Sequence, residues 1–204
     1  MHSGTFYVIE LSSYQLERTQ SLRADAAVFL NLSPDHLDRH GTMEVYGKAK
    51  QAIFANQSKG DTVVLGVDDA YCKALCTELK VKNGRSIIPV SARRSMGHGV
   101  SVLGGKLFSN LTRKAYEVCD LNQAKALEGQ HNWQNAAAAF AAIRSFGIDA
   151  KDIGQAILSF PGLAHRMETI GTLRNVRFVN DSNCLLYTSP SPRDQRGSRM
   201  PSSA

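Results

Sequence analysis

The sequence predicts an α/β fold: a mostly parallel sheet with helical crossovers, plus an antiparallel appendage. Three observations predict it. Short apolar runs rich in β-branched residues alternate with longer segments of helical character. Gly104-Gly105 separates two short runs, Val100–Leu103 and Lys106–Ser109, in the manner of a hairpin. An alanine-rich stretch from Asn132 to Phe146 runs into Gly147, a residue type favoured just past a helix end.

Taken in order, Thr5–Ile9 reads as a short buried strand. Asp25–Leu32 reads as a second, with the near-continuous apolar run of a parallel strand covered on both faces. Thr42 can cap a helix through about Asn56, with Glu44 in its first turn. Thr62–Val67 is a third strand, and Asp68 is placed to cap a helix to about Leu79. Arg85–Val90 is a fourth, and Lys114–Leu121 can supply a further antiparallel strand. A second helix, Lys151–Ser159, stops before Pro161-Gly162, and Val176–Val179 opens a new strand. Right-handed crossovers join such units. Phe160-Pro161-Gly162 is the expected boundary, giving a central domain over 1–162, the start of a C-terminal α/β domain over 163–183 and a tail over 184–204.

The chain has 204 residues, 43% of them apolar, which is enough to bury a core. Mean hydropathy of -0.24 fits a globular protein, and no apolar run reaches the length of a membrane span. The start, Met1–Thr5, lacks the features of a secretory signal. A cytoplasmic monomer without membrane association is expected. The net charge is +6, and residues 184–204 hold +2 of it through Arg193, Arg196 and Arg199 against Asp194. The remaining charges are interspersed, apart from Arg93-Arg94, so no nucleic-acid partner is expected. Cys72, Cys76, Cys119 and Cys184 lack zinc-site spacing and read as thiols of a reducing compartment.

Residues 184–204 break the pattern. They hold three of the six prolines and five serines, and no apolar period survives past Tyr187. A non-native tail is expected, disordered from about Leu186 and without effect on folding.

Three clusters carry chemistry, each at a strand end or helix start, where open α/β sheets put their ligands. Glu10–Glu17 follows the first expected strand and joins a carboxylate to hydroxyls and an amide. Asn31–His40 packs Asp35, His36, Asp38 and His40 into a short loop. Gly129–Asn135 opens the alanine-rich helix, where Asn132 can be an N-cap or can join Asn135 in facing a ligand. Alone, each has a plain alternative as a solvated or capping segment.

Together they resemble the Mur ligase family, in six segments that run in order over about residues 5–182. Tyr7–Glu17 resembles the segment of the D-glutamate-adding branch. Asp35–Arg39 resembles the metal-binding histidine segment, and Tyr46–Lys50 the modified-lysine segment. Gly129–Asn135 resembles the ATP-side asparagine motif, Gly162–Glu168 the linker into the C-terminal domain, and Val179–Ser182 a later nucleotide contact. The resemblance implies a mononucleotide-binding central domain. It implies an ATP-dependent enzyme that adds D-glutamate to UDP-N-acetylmuramoyl-L-alanine through an acyl phosphate, in peptidoglycan synthesis. Glu10 and His36 would bind Mg²⁺, together with a carbamylated Lys50; Lys48 would lie off the site. Ser12 and Gln15 would face the UDP-muramoyl substrate, and Asn132, Asn135, Arg166 and Asp181 would contact ATP.

Two departures stand out. The family's phosphate loop lies upstream of the first motif, and Gly104-Gly105-Lys106 lacks the following Ser or Thr and the helix that such a loop requires. Asn183 replaces the family's lysine after Asp181-Ser182. The chain therefore reads as a truncated fragment, inactive alone, that lacks most of the D-glutamate subsite. Another Mur-type or folylpolyglutamate-type amide ligase, or a non-catalytic nucleotide- or partner-binding module, are the alternative readings.

Overall fold

The computed structural model describes residues 4–81, 84–165 and 168–181. Contacts divide the chain into two compact units, one ending at Ser159 and the other beginning at Phe160.

The first unit is built on a six-stranded sheet in sequence order: β1 (Ala26–Phe29), β2 (Thr62–Gly66), β3 (Ser86–Ser91), β4 (Gly99–Leu103), β5 (Lys106–Asn110) and β6 (Tyr116–Asp120). Strands β1 to β4 are parallel, and β4, β5 and β6 are antiparallel. The antiparallel strands thus continue the same sheet. Gly104 and Gly105 have φ of 58° and 82° and close the β4–β5 turn; such left-handed pairs match the twist of the flanking strands.

Helices cover both faces. On one side lie α3 (Met43–Gln51), continued by a 3₁₀ turn over Ala52–Phe54, and α4 (Ala70–Val81). There Val63 and Leu65 of β2 pack with Phe29, Tyr46, Phe54, Cys72 and Leu75. On the other side lie α5 (Gln130–Arg144) and α6 (Ala150–Leu158). There Val64 packs with Ile88, Val100, Val102, Leu107, Phe140 and Ile153. Alternate residues of one buried strand therefore feed two cores, as the two-residue period of a strand requires. Two helices of four residues, α1 (Ser13–Leu16) and α2 (Leu37–His40), precede α3.

Several local expectations are corrected. Thr5–Ile9 forms no strand: it is exposed throughout, with Val8 at 100%. Among the described residues the sheet starts at β1, which pairs with β2, and no strand lies beside the apolar run to pair its backbone groups. Strand β1 is shorter than expected, and Val28 on one face stays exposed, so it is not covered on both sides. Asp69, not Asp68, accepts from the α4 backbone, at 2.9 Å from the Cys72 N–H. Asn132 is not the N-cap of α5; Gly129 is, and Asn132 lies inside the first turn. Thr42 does cap α3, its hydroxyl accepting from Val45 N–H at 3.3 Å. Cys72, Cys76 and Cys119 are free and buried, and burial pushes the Cys119 thiol up to about 11.

In the second unit, β7 (Glu168–Leu173) and β8 (Val176–Asn180) form an antiparallel hairpin turning at Arg174-Asn175, both with positive φ. Arg166 and the expected tail from 184 onward lie outside the described residues. Among the described residues no helix is long and apolar enough to cross a membrane.

Candidate functional site

Two groups of polar side chains gather around the sheet of the first unit. The first is carried by the short helices. Ser12 N-caps α1, and Gln15 reciprocates by accepting the Ser12 N–H at 2.8 Å, so the two form a capping box. His36 sits in the left-handed region, φ 52°, with its ring Nε2 3.5 Å from Asp35 Oδ2. Its ring meets Tyr14 edge-on at 5.3 Å and Tyr46 at 6.1 Å. Tyr46 is buried, and burial raises its phenol above the usual range. One turn later, half-buried Lys50 places Nζ 5.3 Å from the centre of the same Tyr46 ring, while Lys48 is exposed. His36 and Lys50 are thus brought to one aromatic ring. Glu10 is exposed on irregular backbone before α1. Among the described residues no three His, Cys, Asp or Glu side chains come together as metal ligands.

The second group docks the start of α5 on the carboxyl ends of β2 and β3. Gln130 Nε2 donates to Ala92 O at 3.0 Å, and Gln134 Nε2 donates to Asp68 Oδ2 at 3.1 Å. Asp68 also accepts from Ser91 Oγ at 2.5 Å and from Ala92 N–H at 2.8 Å. Gln130 and Gln134 share one helix face, and Asn132 and Asn135 share another, roughly 60° apart from each other. Asn135 is exposed, and Asn132 donates to Glu128 O at 2.9 Å. Gly66 makes this docking possible: a Cβ there would lie 1.8 Å from Leu30 O and 2.9 Å from Gln134 Nε2.

Asp181 is half-buried in the second unit and is described there by itself. Sequence reasoning missed Asp68, Gln134 and the burial of His40, whose side chain is 0% exposed. The Asp68-Asp69 pair after a strand and the four-residue spacing of Gln130 and Gln134 were the available signals; nothing in the sequence marks His40 over His36.

The fold, with the Asp68–Gln134 group just past the carboxyl ends of β2 and β3, defines an α/β domain of the open-sheet class, whose ligand sites lie at those strand ends. The Mur ligase middle domain matches residues 1–143, and the chain belongs to the Mur ligase family. It is 56% identical over 182 residues to the UDP-N-acetylmuramoylalanine--D-glutamate ligase of Caulobacter vibrioides, covering 89% of this chain and 39% of the relative. It is 44% identical over 176 residues to the enzyme of the same name from Paramagnetospirillum magneticum, covering 86% of this chain and 37% of that relative. The chain therefore spans about two fifths of these relatives' length. Among solved structures, MurF from Acinetobacter baumannii aligns with a TM-score of 0.57 at 20% identity, covering 83% of this chain and 35% of that one. A UDP-N-acetylmuramoyl-L-alanyl-D-glutamate--2,6-diaminopimelate ligase aligns with a TM-score of 0.57 at 24% identity, covering 79% and 34%. These two likenesses concern the fold.

Proposed function

We propose that this chain is the central part of a cytoplasmic, ATP-dependent ligase that joins D-glutamate to UDP-N-acetylmuramoyl-L-alanine in peptidoglycan synthesis. The observation that carries the reading is the 56% identity to a relative of that name over 182 residues, 89% of this chain. In such a reaction ATP phosphorylates the alanyl carboxylate, and the D-glutamate amine displaces phosphate from the acyl phosphate. Substrate contacts fall to Ser12 and Gln15, and ATP contacts to Asn132, Asn135, Arg166 and Asp181.

Mg²⁺, when bound, offsets the charge crowded between phosphate and carboxylate oxygens. His36, Glu10 and Lys50 would hold it. As an ammonium Lys50 repels a cation, and with a carbamate it becomes an anionic oxygen donor, so the donor set fits only the carbamylated side chain. That nitrogen lies 5.3 Å from the centre of the Tyr46 ring, which His36 also meets edge-on. The central domain is proposed to span 1–162 and the next to begin at 163. The sequence contains no glycine-rich segment ending in Lys-Ser or Lys-Thr of the kind that holds the β- and γ-phosphates, so this polypeptide alone is proposed to be inactive.

The test is phosphate release by a protein of the relatives' full length that carries this sequence. With UDP-N-acetylmuramoyl-L-alanine, ATP and Mg²⁺, release should depend on D-glutamate and not on other amino acids. Release driven equally by another amino acid would favour a different ligase of the family, and ATP binding without turnover would favour a binding module.

A further inference from the structure

We propose that His40 is a positioning residue: it locks α1, which carries Gln15 and is capped by Ser12, against the helices that carry His36 and Lys50. The inference rests on the reading above, in which those four residues serve substrate and metal.

Helices α1 and α2 have four residues each. Helices that short have no stability of their own, so their mutual geometry must come from tertiary contacts. His40 is the last residue of α2, and it makes those contacts in three directions. Its Nε2 lies 2.9 Å from Ser13 Oγ in α1, and its Nδ1 lies 3.1 Å from Glu17 Oε1 at the α1 C-cap. The Nδ1 contact is an ion-pair distance without hydrogen-bond alignment. The ring tilts onto Tyr46 of α3 at 5.1 Å and onto Tyr14 of α1 at 5.6 Å.

Burial separates this contact from its neighbours. The His40 side chain is wholly enclosed, and Ser13 is 1% exposed. A buried hydroxyl that loses its partner is penalised, so the Ser13–His40 link is costly to break. Other ties between α1 and the α2 segment are exposed: Arg39 Nη2 reaches Glu17 Oε2 at 3.1 Å, its guanidinium lies 5.9 Å over Tyr14, and the exposed His36 ring meets Tyr14 at 5.3 Å. Solvent screens such contacts. Only an imidazole presents two nitrogens on a flat ring that also packs on Tyr46. A leucine fills the space without the nitrogens, and a glutamine keeps an amide that can reach Ser13.

The experiment is nuclear magnetic resonance of the 204-residue chain, with His40→Leu, His40→Gln and Ser13→Ala beside the wild type. Wild type should show cross-peaks from the His36 ring to Tyr14 and Tyr46. His40→Leu should lose the Tyr14 cross-peaks while amide signals of β2 to β5 stay in place, and His40→Gln should recover them in part. Unchanged Tyr14–His36 cross-peaks in folded His40→Leu would overturn the proposal. Should His40→Leu not fold, Ser13→Ala decides: loss supports the proposal and persistence overturns it. Mn²⁺ alone serves as a second probe, and its broadening of the His36 signals should need about tenfold more metal in His40→Leu, the scale seen when a ligand's supporting contacts are removed. Wild-type His36 signals indifferent to Mn²⁺ would sink the metal assignment, and the cross-peaks would still decide the role of His40.

Discussion

The two polar groups of the first unit are held in different ways. The start of α5 belongs to a 15-residue helix whose Ala136, Ala137, Phe140 and Ala141 are buried against the sheet. Its amides are aimed by a long element that packing fixes over four turns. The Ser12–Lys50 group instead sits on two four-residue helices, joined to α3 by rings and by one buried histidine. The difference teaches that the face at the start of α5 is set mainly by core packing, whereas the Ser12–Lys50 face depends on a few polar and aromatic contacts. Stability should therefore respond to one region and local geometry to the other.

The largest effect is expected from Phe140→Ala. This side chain is fully buried among both helices of its face, and its removal should cost about 3–5 kcal/mol. Denaturant unfolding measures it. Tyr14→Ala, at a residue 38% exposed, should cost far less; an equal loss would erase the contrast between the regions. Next comes Gly66→Ala, which forces Leu30 O and the Gln134 amide apart. Overpacking of this sort costs about 1–3 kcal/mol, and the hydrogen exchange of the first turn of α5 should rise with it. Unaltered exchange there would show that the β2–α5 contact does not set the helix.

A smaller effect belongs to neither group and serves as a control. Asp61, at the opposite end of β2, accepts two hydrogen bonds from Arg23 at 2.8 and 2.9 Å and one from Ser58 N–H at 2.6 Å. The Arg23 guanidinium, above all, holds its carboxyl well below the usual carboxylate range. The native pKa being the lower, this stabilisation is present above the unfolded value of about 3.9 and is lost as the pH falls through the native one. Asp61→Asn should lower stability at neutral pH and flatten its decline below about pH 4. A parallel decline in both proteins would show that another carboxylate drives it.

Much of the fold was legible in the sequence because its signals are local. Thr42 marks the start of α3, Gly104-Gly105 the hairpin and Gly147 the end of α5, and each acts through its own backbone. The failures need information about partners. Phe6–Ile9 has strand composition, but pairing is a property of a neighbour, and the sheet places none beside it. Asp68 and Asp69 are alike as caps; only the approach of Ser91 and Gln134 from distant segments draws Asp68 away. Helices of four residues carry no period, so α1 and α2 were invisible. In the candidate site, the nearness of Lys50 to Tyr46 was legible from helical spacing. The enclosure of His40 was not, since it depends on Ser13 and Glu17 folding over it.

The proposed function turns on which lysine serves the site, and one comparison tests it most directly. In a ligase of the relatives' full length carrying this sequence, D-glutamate-dependent phosphate release is measured for Lys50→Ala and Lys48→Ala. Lys50 sits against the Tyr46 ring and Lys48 is exposed, so Lys50→Ala should abolish release, with partial recovery in added acetate or formate, and Lys48→Ala should retain it. Loss in Lys48→Ala with Lys50→Ala unaffected would contradict the account.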